Sequence, residues 1–131
     1  MPRTTNDIEI LLAELDRSHE RVEGSEGSFL IRAATGTLAV LTVDDPIVTI
    51  TVTIGPAPKD AAHQLTVYTR LLQINADDLI YGAYGLEGDQ IVLSAGLALE
   101  NLGKNELSAA LADIDMALVQ HTPEIASAAR D

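Results

Sequence analysis

The stretch Tyr81–Leu102, YGAYGLEGDQIVLSAGLALENL, decides the architecture. From Ile91 the odd positions are Ile91, Leu93, Ala95, Leu97 and Leu99, and the even ones are Val92, Ser94, Gly96 and Ala98. A period of two sends alternate side chains to opposite faces of a pleated strand, so this is sheet. Gly88-Asp89 is a tight-turn pair and folds the stretch into two antiparallel strands. Ser94 has no GxSxG around it and the hairpin holds no histidine, so nothing in it reads as a reaction site. Gly82, Gly85 and Gly96 are strand glycines of the kind that mark bulges or the close approach of another backbone.

Upstream, IVTITVTI (Ile47–Ile54) alternates just as strictly, with Val48, Ile50, Val52 and Ile54 on one face and Thr49, Thr51 and Thr53 on the other. Every residue in it is β-branched, which suits a pleated surface. Asp44-Asp45-Pro46 is a turn signal and separates it from a strand over Leu38–Val43. A further strand is expected over Phe29–Ala33, ended by the turn ATGT.

Three helices complete the reading. Ile8, Leu11, Leu12 and Leu15 form one helical stripe, capped by Thr5 or Asn6. From Asp60 to Ile74 the apolar positions fall on two stripes, Leu65, Tyr68 and Leu72 beside Val67, Leu71 and Ile74. A helix apolar over that width is covered on more than one side, either by its own domain or by another subunit. Leu107, Leu111, Ile114 and Leu118 recur in the last helix with Ala110 and Ala117 on the same face. Pro123 is expected to end it, leaving residues 122–131 as a flexible, frayed tail. The order is α-β-β-β-α-β-β-α, an α+β domain with helices packed on one face of an antiparallel sheet.

Composition narrows the function. The chain has 131 residues, of which 47% are hydrophobic and 3% aromatic, so one domain with an aliphatic core is expected. There is no cysteine, which removes disulfides and thiolate chemistry. A formal charge of −12 repels phosphate, so no nucleic-acid partner is expected. The acids interrupting the N-terminal apolar pattern argue against a signal peptide, and the longest apolar run is too short to span a bilayer. The expectation is a cytoplasmic chain with no integral membrane segment.

His19, His63 and His121 fall on different elements or their ends, as isolated surface or capping residues. Asp44-Asp45 and Asp77-Asp78 sit where turns want them. Asp113 and Asp115, two apart on a helix, do not face each other. Arg70 marks either the rim of an interface or a solvated position. No catalytic residue, cofactor site or metal site emerges, and the expectation is that the protein is not an enzyme.

The element order and the run LTVYTRLLQINADDLIYGAYGLEGDQIVLSAGLALENLGKNELSAALADIDMAL resemble the type III secretion chaperone-like fold of class I chaperones and YbjN-like proteins. Among relatives, IVLSAGLALENL before an amphipathic last helix looks most like the small YjfI-like bacterial proteins. The resemblance implies a cytoplasmic homodimer that binds another, unidentified protein. It places the dimer or partner interface on Asp60–Ile74 and Tyr81–Glu87, through Leu65, Tyr68, Leu71, Leu72, Tyr81 and Tyr84. A chaperone- or adaptor-like module is the expected function. The alternatives are an acidic regulatory subunit of an envelope-stress pathway and a small ligand-binding domain or enzyme.

Overall fold

The computed structural model describes residues 3–130, the last two by their backbone alone. Helix α1 (Thr5–Glu14) begins with a capping box. Thr4 Oγ1 accepts the Asp7 N–H at 3.2 Å and the Asp7 carboxylate accepts the Thr4 N–H at 3.0 Å. Two unpaired donors of the first turn are met in this way, one residue ahead of the expected cap. The backbone bond from Thr4 holds the Asp7 carboxyl below its ordinary value.

The sheet has six antiparallel strands in the spatial order β1 (His19–Arg21), β2 (Ser28–Arg32), β3 (Leu38–Asp44), β4 (Ile47–Pro56), β6 (Gln90–Ala98) and β5 (Gly82–Glu87). Asp45-Pro46 alone joins β3 to β4, and Gly88-Asp89 alone joins β5 to β6. Both turns are where their chemistry puts them.

Register explains why the core lies on one side. Phe29, Leu41, Ile50 and Ala95 form one cross-strand row, and Val52, Leu93 and Tyr84 another; all are buried. The row Leu30, Val40, Thr51, Ser94 and Ala83 belongs to the opposite face and is half-buried or exposed. Over the buried face lie α2 (Ala61–Asp77) and α3 (Lys104–Gln120), which contribute Val67, Leu71 and Ile74 and the full stripe from Leu107 to Leu118. A bulge between Thr53 and Gly55 shifts the register of β4. Ile54, at the bulge, is only half-buried.

The expected order is present, with a 3-10 turn over Ala34–Gly36 and two larger additions. One is β1, three residues long, which extends the sheet beyond β2. The other corrects the tail: Thr122–Arg130 is a helix, α4, with Pro123 in its first turn. Proline lacks an N–H and fixes φ, which stops a helix already running but suits one just beginning. Ile125, 1% exposed, anchors α4 to the core. Asp131 lies outside the described residues.

Candidate partner-binding surfaces

The two stripes of α2 part company. Val67, Leu71 and Ile74 enter the core, while Leu65 is 71% exposed, Leu72 is 69% exposed and Tyr68 is half-buried. Of the remaining expected contact residues, Tyr81 is exposed and Tyr84 is buried. Leu71 and Tyr84 are therefore occupied inside the chain, and a charge at Leu71 would break the core. Ile80, 86% exposed, and Leu86 join the apolar side chains presented by α2 and β5, two elements in contact. Periodicity does not find Ile80, because it sits in the connection between helix and strand.

β5 forms one edge of the sheet, and the first half of its outward backbone, at Gly82 and Tyr84, is already taken. The Asn75 amide acts as a short strand: its Oδ1 accepts the Tyr84 N–H at 2.8 Å and its Nδ2 donates to the Tyr84 carbonyl at 3.0 Å. Asp113 Oδ2 accepts three successive N–H groups, from Ile80 at 3.1 Å, Tyr81 at 2.9 Å and Gly82 at 2.8 Å. A methyl group built on Gly82 would lie 3.4 Å from that oxygen, so what comes near this strand glycine is the Asp113 side chain and not the backbone of another chain. Gly85 and Gly96 have open space around them instead.

β1 forms the other edge. Ser18 O and Val22 N pair with Arg32 N and Ser28 O of β2. By antiparallel alternation the N–H and C=O groups of His19 and Arg21 face away from the sheet. Side chains hold this strand in place. Arg21 Nη2 donates to Glu9 Oε1 at 2.7 Å and to Asn6 Oδ1 at 2.8 Å, and its guanidinium lies 5.6 Å from the centre of the Phe29 ring. The hydrogen bond from Arg21 holds the Glu9 carboxyl below its usual value, and Glu9 in turn raises Arg21. His19 meets Phe29 edge-on, 6.1 Å between ring centres.

The titratable groups serve the scaffold. Asp60 caps α2 by accepting the His63 N–H, the bond that first lowers its carboxyl, and the His63 ring lies against the same carboxylate. Asp113 and Asp115 leave α3 on opposite flanks. Asp113 reaches the start of β5, while Asp115 accepts the Ala34 N–H at 2.8 Å and pairs with Arg17 at 2.6 Å. Arg70 pairs with Glu124 of α4 rather than pointing freely to water. His121 is buried at the α3–α4 junction, not on the surface. Among the described residues no group of three or more His, Cys, Asp or Glu side chains could hold a metal, and no helix is long and apolar enough to cross a membrane.

Comparison with known proteins follows the same line. The family CesT_Tir_1 matches residues 1–131. Among solved structures, a chain of the ExoU–SpcU heterodimer from the type III secretion system of Pseudomonas aeruginosa superposes with a TM-score of 0.70. It is 18% identical, and the match covers 88% of this chain and 95% of that one. The Yersinia pestis type III secretion chaperone SycH, solved with a fragment of YscM2, gives 0.60 at 15% identity over 93% and 99% of the two chains. YbjN of E. coli gives 0.59 at 12% identity over 97% and 89%. No curated protein matches the sequence.

Proposed function

We propose that this chain, which belongs to the CesT_Tir_1 family of type III secretion chaperones, is a non-enzymatic, homodimeric module that holds a segment of a cytoplasmic protein partner. The observation that carries the reading is the unequal finish of the two sheet edges. The outward backbone of β5 is covered at Gly82 and Tyr84 by Asp113 and Asn75, and the apolar groups beside it, Leu65, Leu72, Ile80 and Tyr81, suit burial against the same surface of a second copy. The backbone of β1 is open and suits a partner strand, since main-chain groups give affinity whatever the partner's sequence. Two of the similar structures were solved as complexes with another protein, which supports the same reading.

The dimer is tested by light scattering on the doubly substituted Leu65→Asp, Leu72→Asp chain. Both positions are exposed, so the fold should survive and the mass should halve; a folded variant that stays dimeric removes α2 from the interface. The partner edge is tested with His19→Pro, which deletes one outward N–H and leaves the Ser18 and Val22 bonds to β2 in place. A partner retained by the wild type should be lost by this variant, and undiminished capture would rule out strand addition at β1.

A second reading, an acidic regulatory subunit docking a basic partner, is favoured by the formal charge of −12. It predicts binding that falls steeply with salt, and salt-insensitive capture would discard it.

A further inference from the structure

Helix α4 lies between two open depressions of the surface. It packs against α2, α3 and β4, yet Ile125 is the large side chain it buries. On one flank Ala126 borders a cavity of about 420 Å³ walled by Ile54, Pro56, Pro58 and Ile91. On the other flank Ala128 borders one of about 380 Å³ walled by Leu65 and Val67 of α2. Each volume is of the size that ligand pockets have. Alanines at these two positions leave room where larger aliphatic side chains would find contacts.

The fastenings of α4 are correspondingly light. Arg70 Nε donates to Glu124 Oε1 at 2.8 Å between two half-exposed side chains, a kind of pair worth little in water. The Tyr84 and Thr122 hydroxyls lie 3.2 Å apart. At the α3–α4 junction, His121 Nε2 is buried 3.2 Å from Asp78 Oδ2 but makes no hydrogen bond of good geometry.

Charge tells what else would fit. Apart from Glu124 of α4 itself, the charged side chains lining the two cavities are Lys59 and Arg70, one on each flank. In a chain of formal charge −12 the cleft thus carries one basic side chain on each flank over an apolar floor. Arg70 is matched by Glu124 of α4, with Asp77 and Asp78 also acting on it. The cleft complements a segment carrying acids beside its apolar residues, and a seat already shaped around a helix suits another helix.

We propose that the groove beneath α4 is a docking site for an acidic amphipathic helix of a partner protein, and that α4 is its resident occupant, displaced when the partner binds. The proposal rests on the reading that this chain holds segments of other proteins, and adds a second site to it, remote from the β1 edge. Binding then competes with α4, so the apparent affinity is reduced by the fraction of molecules whose groove is free.

The test uses the full chain and a fluorescent peptide of residues 121–131 in which Ala126 and Ala128 are both replaced by leucine. Ile125→Asp releases α4, and this variant should bind the peptide about tenfold more tightly than the wild type. The same peptide with Glu124→Lys should bind about tenfold more weakly, having lost its match to Arg70. Equal affinity of wild type and variant, no binding to either, or indifference to the charge change would overturn the proposal. Should Ile125→Asp fail to fold, the converse substitution decides: Ala126→Leu with Ala128→Leu in the full chain should raise Tm and suppress peptide binding. A lowered Tm would mean that the cavities are not spare room, and the proposal falls. Neither outcome bears on the β1 edge, which the His19→Pro variant tests separately. Leu65 belongs both to this groove and to the α2 surface, so the dimer mass of a Leu72→Asp chain, altered at a residue that lines neither cavity, tests that interface.

Discussion

The two edges of the sheet are finished by different means. β5 is sealed by side chains that come from α2 and α3, helices rooted in the core, and Asn75 and Asp113 occupy its outward backbone from Ile80 to Tyr84. β1 is left open and merely steadied by surface contacts from α1. An unpaired edge invites any passing strand, so proteins blunt the edges they do not use. Here the edge beside the apolar surface of α2 is blunted and the remote one is not. On the proposed function, the contrast separates a surface for side chains from a surface for backbone.

Removing the seal tests the contrast most severely. Asp113→Ala strands three N–H groups, two of them at exposed residues, and should cost about 2 kcal/mol in urea unfolding. It should also promote association through the freed strand, visible by light scattering; an unchanged midpoint would mean that water seals the edge as well. Asn75→Ala, which opens both groups of Tyr84, should cost about 1–2 kcal/mol.

Tyr84→Phe is milder at neutral pH, about 1 kcal/mol for its contacts with Thr122 and the Ala117 carbonyl. Its sharper signature is alkaline. Burial raises the Tyr84 hydroxyl above its ordinary 10.0. Below that pH both folded and unfolded chains keep the proton and nothing is lost. As the pH rises past it the unfolded chain ionises first, so the wild type loses stability that the phenylalanine variant keeps. Unfolding midpoints measured on either side of pH 10 decide the point.

The least effect belongs to the open edge. Glu9→Gln removes a carboxylate held below its usual 4.5 by Arg21, at a half-exposed surface pair. Its contribution is present above pH 4.5 and fades as the pH falls through the lowered value, so the two proteins should converge in an acid titration of unfolding. A loss as large as that of Asp113→Ala would abolish the distinction between the edges.

The same division runs through what the sequence could tell. The strands at Ile47–Pro56 and Gln90–Ala98 were legible because a period of two is written into neighbouring residues. So was the α3 stripe, each named position of which is buried. The breadth of apolar residues on α2 was legible, but not which stripe meets its own core, because that depends on where the sheet lies; Leu71 went inward and Leu72 outward. β1 is too short to show alternation. α4 was hidden by Pro123, a residue with one meaning inside a helix and another at its start. The seal was hidden altogether, since Asp113 meets Ile80–Gly82 across more than thirty positions of chain and no local pattern joins them.

The spacing of Asp113 and Asp115 has a mechanical side. Two residues along an α-helix turn through about 200° and advance only about 3 Å. The two carboxylates therefore pull on α3 from nearly opposite sides at almost the same height, one tied to the start of β5 and the other to Ala34 and Arg17. Rolling the helix either way about its axis slackens one tie only by stretching the other. α3 is held against torsion like a shaft pinned through its diameter, tied at once to the start of β5 and to the segment after β2.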